Sequence, residues 1–246
     1  MVLSVVIPAH NEEDSIRPVL RALCAALSAA GIPHEIVVVN DHSRDRTREA
    51  VAEITAEFPS VRCVDNEGAG GFGLAVRAGL DAFTGDAVAI VMADGSDPPG
   101  DVVRCYQELG KGYDCVFGSR FLPGSQVVDY PRFKLSINRL ANYFIKILFG
   151  IPLNDTTNAF KVYRRDTIDG LRPLVSHHFN LTVELPLKAI VRGYTFSIIP
   201  IGWCNRTEGE SKLKLKEMGS RYLFIVLYVW LEKHLAKGDY RRRRSV

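Results

Sequence analysis

The first half of the chain alternates short apolar runs with longer amphipathic segments. The apolar runs are rich in β-branched residues, as buried strands are, and they cover residues 3–7, 35–40, 61–64, 87–92 and 115–119. The segments between them predict helices over 15–30, from about 45 to 58, over 74–83 and from 99 to about 111. This alternation predicts an α/β fold with a mostly parallel sheet flanked by helices.

The second half has longer helices and fewer strands. Strands are predicted over 159–163 and 196–200, helices over 132–149, 183–193 and 222–235, and loops over 127–131 and 203–212. The helix at 132–149 has a basic face and an apolar face. Because no repeat or linker interrupts the pattern, we predict one domain over residues 1–220, followed by an amphipathic helix and a basic tail over residues 221–246.

Composition narrows the class of protein. The 246 residues are 47% hydrophobic with a formal net charge of +3, which fits an ordinary globular α/β domain. The five cysteines form no C-x-x-C pair, so we expect reduced thiols and a cytoplasmic location. No signal-peptide pattern is found, and the longest apolar run, 222–231, is about half of the ~20 residues that a membrane span needs. Nucleic-acid binding is not predicted, because the basic tail lacks interleaved aromatic residues.

Asp94 lies two residues after the apolar run at 87–92, in the acidic turn DGSDPP. Open α/β sheets bind their ligands at the carboxyl ends of their strands. A carboxylate at this place can hold a hard divalent cation, and the cation can hold a diphosphate. The same residue types are typical of a solvated turn, so this stretch by itself leaves both interpretations open.

The glycine-rich turn GAGGFG at residues 68–73 is similar to a dinucleotide-binding fingerprint. It follows the third predicted strand rather than the first, and no acidic residue follows it at the required spacing. An NAD site is therefore not predicted. The sequence is compatible with a helix N-terminus whose backbone N–H groups, left accessible by the glycines, lie beside a phosphate group.

Several motifs occur in one order along the chain. They are SVVIPAHNEE at 4–13, VVNDHSRDRT at 38–47, the glycine-rich turn, the Asp94 turn, and GSR at 118–120. In this order they resemble family 2 inverting glycosyltransferases, whose fold is GT-A, a Rossmann-like nucleotide-sugar-binding architecture. Three later segments resemble the dolichol-phosphate mannosyltransferase (polyprenyl-phosphate glycosyltransferase) branch: NDTTNAFKVYRR at 154–165, LTVELPLKA at 181–189 and NRTEGESKLKLKEM at 205–218.

The resemblance implies a site for a nucleotide-sugar donor, GDP-mannose or a UDP-hexose. Pro8, His10 and Glu12 match the loop that walls the nucleotide base. Asp41 matches an acid that hydrogen-bonds the base or the ribose, although an acid after a strand can equally cap a helix. The donor-binding residues implied in this way are Pro8, His10, Glu12, Asp41, Asn66, Gly70 and Asp94.

The resemblance also implies a group of cations that holds two anionic reactants together. The residues matched to the acceptor phosphate are Arg120, Arg132, Lys134 and Ser211. An R-x-x-G-x-S-K segment that closes over donor and acceptor contributes Arg206, Ser211 and Lys212. Catalytic roles are assigned to Asp94, Arg120, Arg206 and Lys212.

The metal motif departs from the family pattern. The family's D-A-D-L-Q-H-P-P places its first acid where this chain has Met92, and a histidine where it has Asp97. Asp94 matches the last acid of the motif, and Asp97 is a candidate for the second oxygen ligand. Since magnesium keeps several waters and needs few protein ligands, Asp94, Asp97 and a diphosphate are still expected to hold Mg²⁺ or Mn²⁺.

These implications predict transfer of a hexose, with mannose favoured, to a polyprenyl phosphate by a peripheral protein at the cytoplasmic face of a membrane. The C-terminal helix and arginine tail are expected either to contact that membrane or to lie on the protein core. One alternative is a soluble GT-A enzyme that acts on a hydroxyl group, with Glu184 or Asp155 as base, although Glu184 can equally be a helix N-terminal charge. A second alternative is an inactive nucleotide-sugar-binding protein.

Overall fold

The computed structural model describes residues 1–205 and 215–242 of the chain. In chain order the elements are β1 (Leu3–Ala9), α1 (Ile16–Ala29), β2 (His34–Asn40), α2 (Thr47–Glu57), β3 (Val61–Asp65), α3 (Phe72–Ala82), β4 (Ala87–Ile90), α4 (Pro99–Leu109), β5 (Cys115–Ser119), β6 (Val127–Val128), α5 (Arg132–Phe149), β7 (Lys161–Arg164), α6 (Arg165–Leu171), α7 (Leu181–Val191), β8 (Phe196–Pro200), β9 (Trp203–Cys204) and α8 (Leu215–Leu235).

The main sheet has seven strands in the order β3-β2-β1-β4-β7-β5-β8. Strands β1 to β4 are parallel to one another, and β5 is parallel to β8. Strand β7 is antiparallel to both of its neighbours, β4 and β5. The predicted mostly parallel α/β sheet is therefore confirmed, with β7 as the one reversed strand among those described.

The core lies on both faces of this sheet. Successive residues of one strand alternate between the two faces, so that Val37 belongs to one apolar cluster and Val38 to the other. Helices α1, α2 and α4 cover the face that carries Val38, and α3, α7 and α8 cover the face that carries Val37. This two-sided burial explains why the strands read as unbroken apolar runs rather than as alternating ones.

The structure differs from the predicted elements in the second half. Helix α6 was not predicted, and the segments predicted as loops at 127–131 and 203–212 contain β6 and β9, which pair in parallel as a short ribbon. Helix α8 begins at Leu215, before the predicted start at 222 and before the predicted domain boundary. Turns and isolated strand pairs depend on partners distant in sequence, so local periodicity did not indicate them. Among the described residues, no helix is long and apolar enough to span a bilayer.

Candidate active site

The carboxyl ends of β1, β2 and β3 meet at one edge of the sheet. Residues Ala9, Asn40 and Asp65 are aligned in register across these three strands. The next strand, β4, leads at the same edge into the turn that contains Asp94. The edge therefore gathers the polar segments that the sequence placed after separate strands.

Three of the predicted donor-binding residues lie together beside β2 and β3. The buried carboxylate of Asp41 accepts hydrogen bonds from the side-chain amide of Asn66 at 2.7 Å and from the backbone N–H of Gly71 at 2.9 Å. Gly70 is exposed next to this carboxylate. Asp41 thus binds the residue that precedes α3, and it also lies beside the turn predicted to meet the donor.

Two glycines of the turn at 68–73 are required by close packing. A Cβ added to Gly71, whose φ is +150°, would lie 2.7 Å from the carbonyl oxygen of His177. At Gly73 an added Cβ would lie 2.7 Å from the backbone of both His177 and His178. The backbone at 177–178 therefore crosses the first turn of α3, which accounts for these glycines without a bound phosphate.

The loop after β1 is held by side-chain bonds to the loop after β2. His10 Nδ1 lies 2.5 Å from the backbone oxygen of Asp41, and the backbone N–H of Glu12 donates to Thr47 Oγ1 at 2.8 Å. The Glu12 carboxylate accepts from Ser15 Oγ at 2.9 Å at the start of α1. Pro8 is buried within β1. Of the three residues predicted to wall the base, His10 is the exposed one.

Asp94 and Asp97 share one turn but differ in environment. Asp94 is partly exposed, and its Oδ1 accepts the N–H of Ser96 at 3.1 Å. Asp97 is 5% exposed, and its Oδ2 accepts the backbone N–H of Met92 at 3.1 Å. Burial raises the pKa of the Asp97 carboxyl to about 7. Asp97 therefore fastens the two ends of the turn, while Asp94 is the more accessible oxygen donor.

This donor set fits a cation that is shared with a diphosphate. Among the described residues, no three His, Cys, Asp or Glu side chains come together as a complete metal-ligand group. One accessible carboxylate at the carboxyl edge suits Mg²⁺ or Mn²⁺ only when substrate phosphates and waters complete the coordination. Asp94 is the residue that would hold such an ion, with Asp97 as the second candidate.

Arg120 is oriented by a buried bidentate ion pair. Its Nε and Nη2 atoms donate to the two carboxylate oxygens of Asp155, each at 2.8 Å, and its backbone N–H donates to Oδ2 at 2.9 Å. Asp155 is fully buried and Arg120 is 9% exposed. Although burial opposes the charge, Asp155 raises the pKa of Arg120 above its ordinary value. Arg120 is thus a fixed cation at the end of β5, two strands from β4.

Lys161 is a buried titratable group that was not predicted from the sequence. Its ammonium group donates to the backbone oxygens of Thr156 and Asn158, beside Asp155 and Arg120. Burial lowers the pKa of Lys161 to about 7. The sequence feature that could have indicated it is a lysine within the apolar strand AFKVY, where a strand buried on both faces has no position that faces solvent.

An aromatic pair beside Arg120 was also missed. The rings of Tyr130 and Trp203 lie 4.7 Å apart, and the Arg120 guanidinium lies 5.6 Å from the Tyr130 ring. The ribbon of β6 and β9 carries Trp203 here, and the N–H of Cys204 donates to the Ser96 oxygen at 3.1 Å. This bond connects β9 to the Asp94 turn.

The other predicted cations lie on α5 or outside the described residues. Arg132 and Lys134 are exposed in the first turn of α5. Arg206, Ser211 and Lys212 fall within 206–214, which is outside the described ranges. Their roles stay predictions.

Glu184 forms a buried ion pair with Lys188. Its carboxylate lies 2.5 Å from the Lys188 ammonium and accepts the backbone N–H groups of Val175 and Ser176 at 2.9 and 2.8 Å. Both side chains of the pair are fully buried. The pair ties α7 to the segment that crosses the start of α3, a structural role for a residue considered as a base.

Solved structures confirm the architecture. The chain matches glucosyl-3-phosphoglycerate synthase from Mycobacterium tuberculosis in complex with phosphoglyceric acid, with a TM-score of 0.69 at 20% identity, over 94% of this chain and 79% of that one. The same enzyme in complex with Mn²⁺, uridine diphosphate and phosphoglyceric acid gives a TM-score of 0.68 at 20% identity, over 94% and 78% of the two chains. The predicted GT-A fold is therefore confirmed.

Sequence relatives agree with the predicted branch. The chain is 29% identical over 215 residues to polyprenol monophosphomannose synthase of Mycolicibacterium smegmatis, covering 85% of this chain and 80% of that protein. It is 30% identical over 213 residues to undecaprenyl-phosphate mannosyltransferase of Micrococcus luteus, covering 85% and 86%. Dolichol-phosphate mannosyltransferase of Pyrococcus furiosus is 29% identical over 223 residues, covering 88% of this chain but 60% of that longer protein.

The family assignment follows from a match that spans most of the fold. The family model described as Glycosyl transferase family 2 matches residues 4–172, from β1 to the cis-proline turn after α6. The matched region contains Asp41, Asp94, Arg120 and Asp155. With the GT-A architecture and the gathered polar edge, this match shows that the chain belongs to glycosyl transferase family 2.

Proposed function

We propose that this protein is an inverting glycosyltransferase that moves a hexose, with mannose favoured, from a nucleotide sugar to a polyprenyl phosphate. The donor is GDP-mannose or a UDP-hexose, and the acceptor is a dolichyl or undecaprenyl phosphate at the cytoplasmic face of a membrane that the protein contacts peripherally. The activities named for the relatives from Mycolicibacterium, Pyrococcus and Micrococcus support this proposal.

One observation carries the proposal: both carboxylates considered as bases for a hydroxyl acceptor are held in buried ion pairs. Asp155 is bound by Arg120, and Glu184 is bound by Lys188. A hydroxyl nucleophile needs a base to take its proton, whereas a phosphate monoester is largely deprotonated near neutral pH. The described site therefore suits an acceptor that is already anionic.

In the proposed reaction, a phosphate oxygen of the acceptor attacks the anomeric carbon from the face opposite the leaving group. The new carbon–oxygen bond forms as the bond to the diphosphate breaks, and the configuration inverts without a proton transfer. Arg120, fixed by Asp155, supplies positive charge for the anionic reactants. A divalent cation held by Asp94, with Asp97 as the second candidate ligand, would neutralise charge on the departing nucleoside diphosphate.

The test incubates the pure protein with Mg²⁺ or Mn²⁺, a short prenyl phosphate and a panel of nucleotide sugars, and measures glycosylated lipid. We expect product with at least one donor, and loss of at least about a hundredfold in Asp94→Ala or when the metal is chelated. Asp86→Ala is the matched control, because Asp86 is a well-exposed acid before the amino end of the same strand, β4.

The outcomes separate the proposal from its alternatives. Full activity of Asp94→Ala would remove the metal role from Asp94. Transfer to a hydroxyl acceptor, with no competition from prenyl phosphate, would favour the soluble enzyme. Absence of nucleoside diphosphate release with every donor and acceptor would favour an inactive nucleotide-sugar-binding protein, which the missing acid at Met92 would explain.

A further inference from the structure

Exposed apolar side chains concentrate on two helices. Of the large hydrophobic side chains that are exposed among the described residues, six lie on α5, five lie on α8 and four lie elsewhere. Scattered exposed apolar residues are normal on soluble proteins, whereas a contiguous patch marks an interaction site. The distribution therefore points to one surface rather than to general exposure.

Helix α5 presents a regular apolar stripe to solvent. Its exposed residues Phe133, Ile137, Leu140, Phe144 and Ile147 follow one another at intervals of three and four, which places them on one face of the helix. Leu140 is 70% exposed and Ile147 is 63% exposed. The opposite side of α5 already packs into the core through Ile145 and Phe149, so the core does not account for the stripe.

Helix α8 repeats this arrangement beside α5. Phe224, Leu227, Leu231 and Leu235 are exposed, whereas Ile225, Val226 and Val229 are buried in the core. The two helices are neighbours, because Lys233 Nζ of α8 donates to the Phe149 oxygen of α5 at 2.7 Å. The two stripes together are called the α5–α8 face here.

The charge of α5 indicates which kind of partner binds this face. The helix carries Arg132, Lys134, Arg139 and Lys146, all exposed, and its sequence has no acidic residue. A second copy of the chain would bring these like charges together across the interface, whereas an anionic lipid surface would neutralise them. An apolar helix face rimmed by basic residues is typical of helices that lie in the membrane interface.

The position of the face agrees with a lipid acceptor. The Arg139 guanidinium of α5 lies 4.9 Å from the ring of Phe121, the residue after Arg120. Asn142 of α5 accepts the N–H of Thr156, the residue after Asp155. The middle of α5 is therefore attached to the segments that carry Arg120 and Asp155, and the α5–α8 face adjoins the active-site edge.

We propose that the α5–α8 face is a docking surface for an anionic lipid bilayer, with its attraction supplied by the cations of α5. Within the arginine tail, Arg242 is bound to Asp114 and lies over the Tyr194 ring, so this arginine is not counted among the cations of the face. The surface deepens the proposed function, since it names how a lipid acceptor reaches Arg120, and in that respect it rests on that function.

The test measures flotation of the full chain with phosphatidylcholine vesicles, with and without phosphatidylglycerol. We expect wild type to bind the anionic vesicles, and the triple variant Leu140→Gln/Phe144→Gln/Leu231→Gln to lose at least about tenfold in partitioning. Lys146→Glu should weaken binding to anionic vesicles only. Val2→Gln and Lys111→Glu, which change exposed residues that belong to neither α5 nor α8, are the matched controls.

All substituted side chains are exposed, so circular dichroism and thermal melting should show wild-type folding. Failure of wild type to bind either vesicle, or equal binding by the triple variant, would overturn the proposal. So would a wild-type dimer that the triple variant converts to a monomer without vesicle binding.

Turnover separates docking from the proposed function. With a short, water-soluble prenyl phosphate and no vesicles, the triple variant should match wild type, whereas with a long-chain prenyl phosphate in vesicles it should lose activity in parallel with binding. If wild type turns over no prenyl phosphate but binds vesicles as expected, the proposed function fails and the docking surface stands.

Discussion

At the level of single residues, the site consists of carboxylates in contrasting surroundings. Asp94 is partly exposed, whereas Asp155 and Glu184 are fully buried and paired with Arg120 and Lys188. A carboxylate that pairs with a buried cation is held in that contact, because breaking the pair would leave the cation uncompensated. Accessibility and pairing, rather than residue type, therefore separate the candidate metal ligand from the two acids held in ion pairs.

Glu184→Gln should cost about 3–5 kcal/mol of unfolding free energy, because it leaves the Lys188 ammonium buried without its partner. Turnover of the folded variant should stay near wild type. Urea unfolding and steady-state kinetics measure the two effects. The double variant Glu184→Gln/Lys188→Met removes both charges and should regain part of the stability. Abolished turnover in that stable double variant would restore Glu184 as the base.

Lys161 predicts a pH dependence of stability. Burial lowers the pKa of its ammonium from 10.5 to about 7 in the folded protein. Between these two values the Lys161 side chain is protonated in the unfolded chain but not in the folded protein. The contribution of Lys161 to the free energy of unfolding therefore rises with pH, by at most about 1.4 kcal/mol per pH unit.

Urea unfolding of wild type and Lys161→Met from pH 7 to 10 tests this dependence. The unfolding free energy of wild type minus that of Lys161→Met should increase as pH rises. A constant difference would show that Lys161 stays charged in the folded state.

At the level of elements, the position of α3 against the sheet depends on small side chains. A Cβ added to Gly79 would overlap Val6 Cγ1 of β1 and lie 3.0 Å from Val39 Cγ2 of β2. The helix therefore approaches the sheet more closely than an alanine allows. Its first turn is approached as closely by the backbone at 177–178, so α3 is held between two elements distant in sequence.

Gly79→Ala should lower the unfolding free energy by about 1–3 kcal/mol through overpacking. Gly219→Ala in α8 is the matched control, because an added Cβ meets nothing within 4 Å and should raise stability by up to about 1 kcal/mol through helix propensity. Urea unfolding measures both variants. A stabilising effect of Gly79→Ala would contradict the close seating of α3.

At the level of the whole molecule, a single sheet edge joins the donor and acceptor halves of the proposed site. Strands β1 to β4 bring Asp41 and Asp94 to this edge, and β5 brings Arg120. The short ribbon of β6 and β9 connects the two halves through the bond from Cys204 to Ser96. A ligand that spans the edge should therefore stabilise the whole fold.

A nucleoside diphosphate with Mn²⁺ should raise the melting temperature by roughly 5–10 °C at a hundredfold excess over its dissociation constant. The ligand binds only the folded state, so its binding free energy adds to stability. Comparing GDP with UDP in a thermal melt indicates the preferred base. Chelation of the metal, or Asp94→Ala, should remove the metal-dependent part of the shift. An unchanged shift in both cases would argue against a cation at Asp94.

The alternation of apolar runs and amphipathic segments was enough to predict the α/β fold, and the resemblance of ordered motifs was enough to indicate family 2. Both are local signals, because a strand buried on two faces must be apolar throughout and ligand-binding residues follow strands directly. The family and the fold are confirmed.

Tertiary structure alone decided which charges meet and which apolar faces stay open. The sequence made Asp155 a candidate base, but only the fold shows that it binds Arg120, 35 residues earlier. The apolar residues of α5 looked like any core-facing stripe in the sequence, yet most of them face solvent beside α8. Partners far apart in sequence determine both results, and a periodic pattern contains no information about which distant segment covers it.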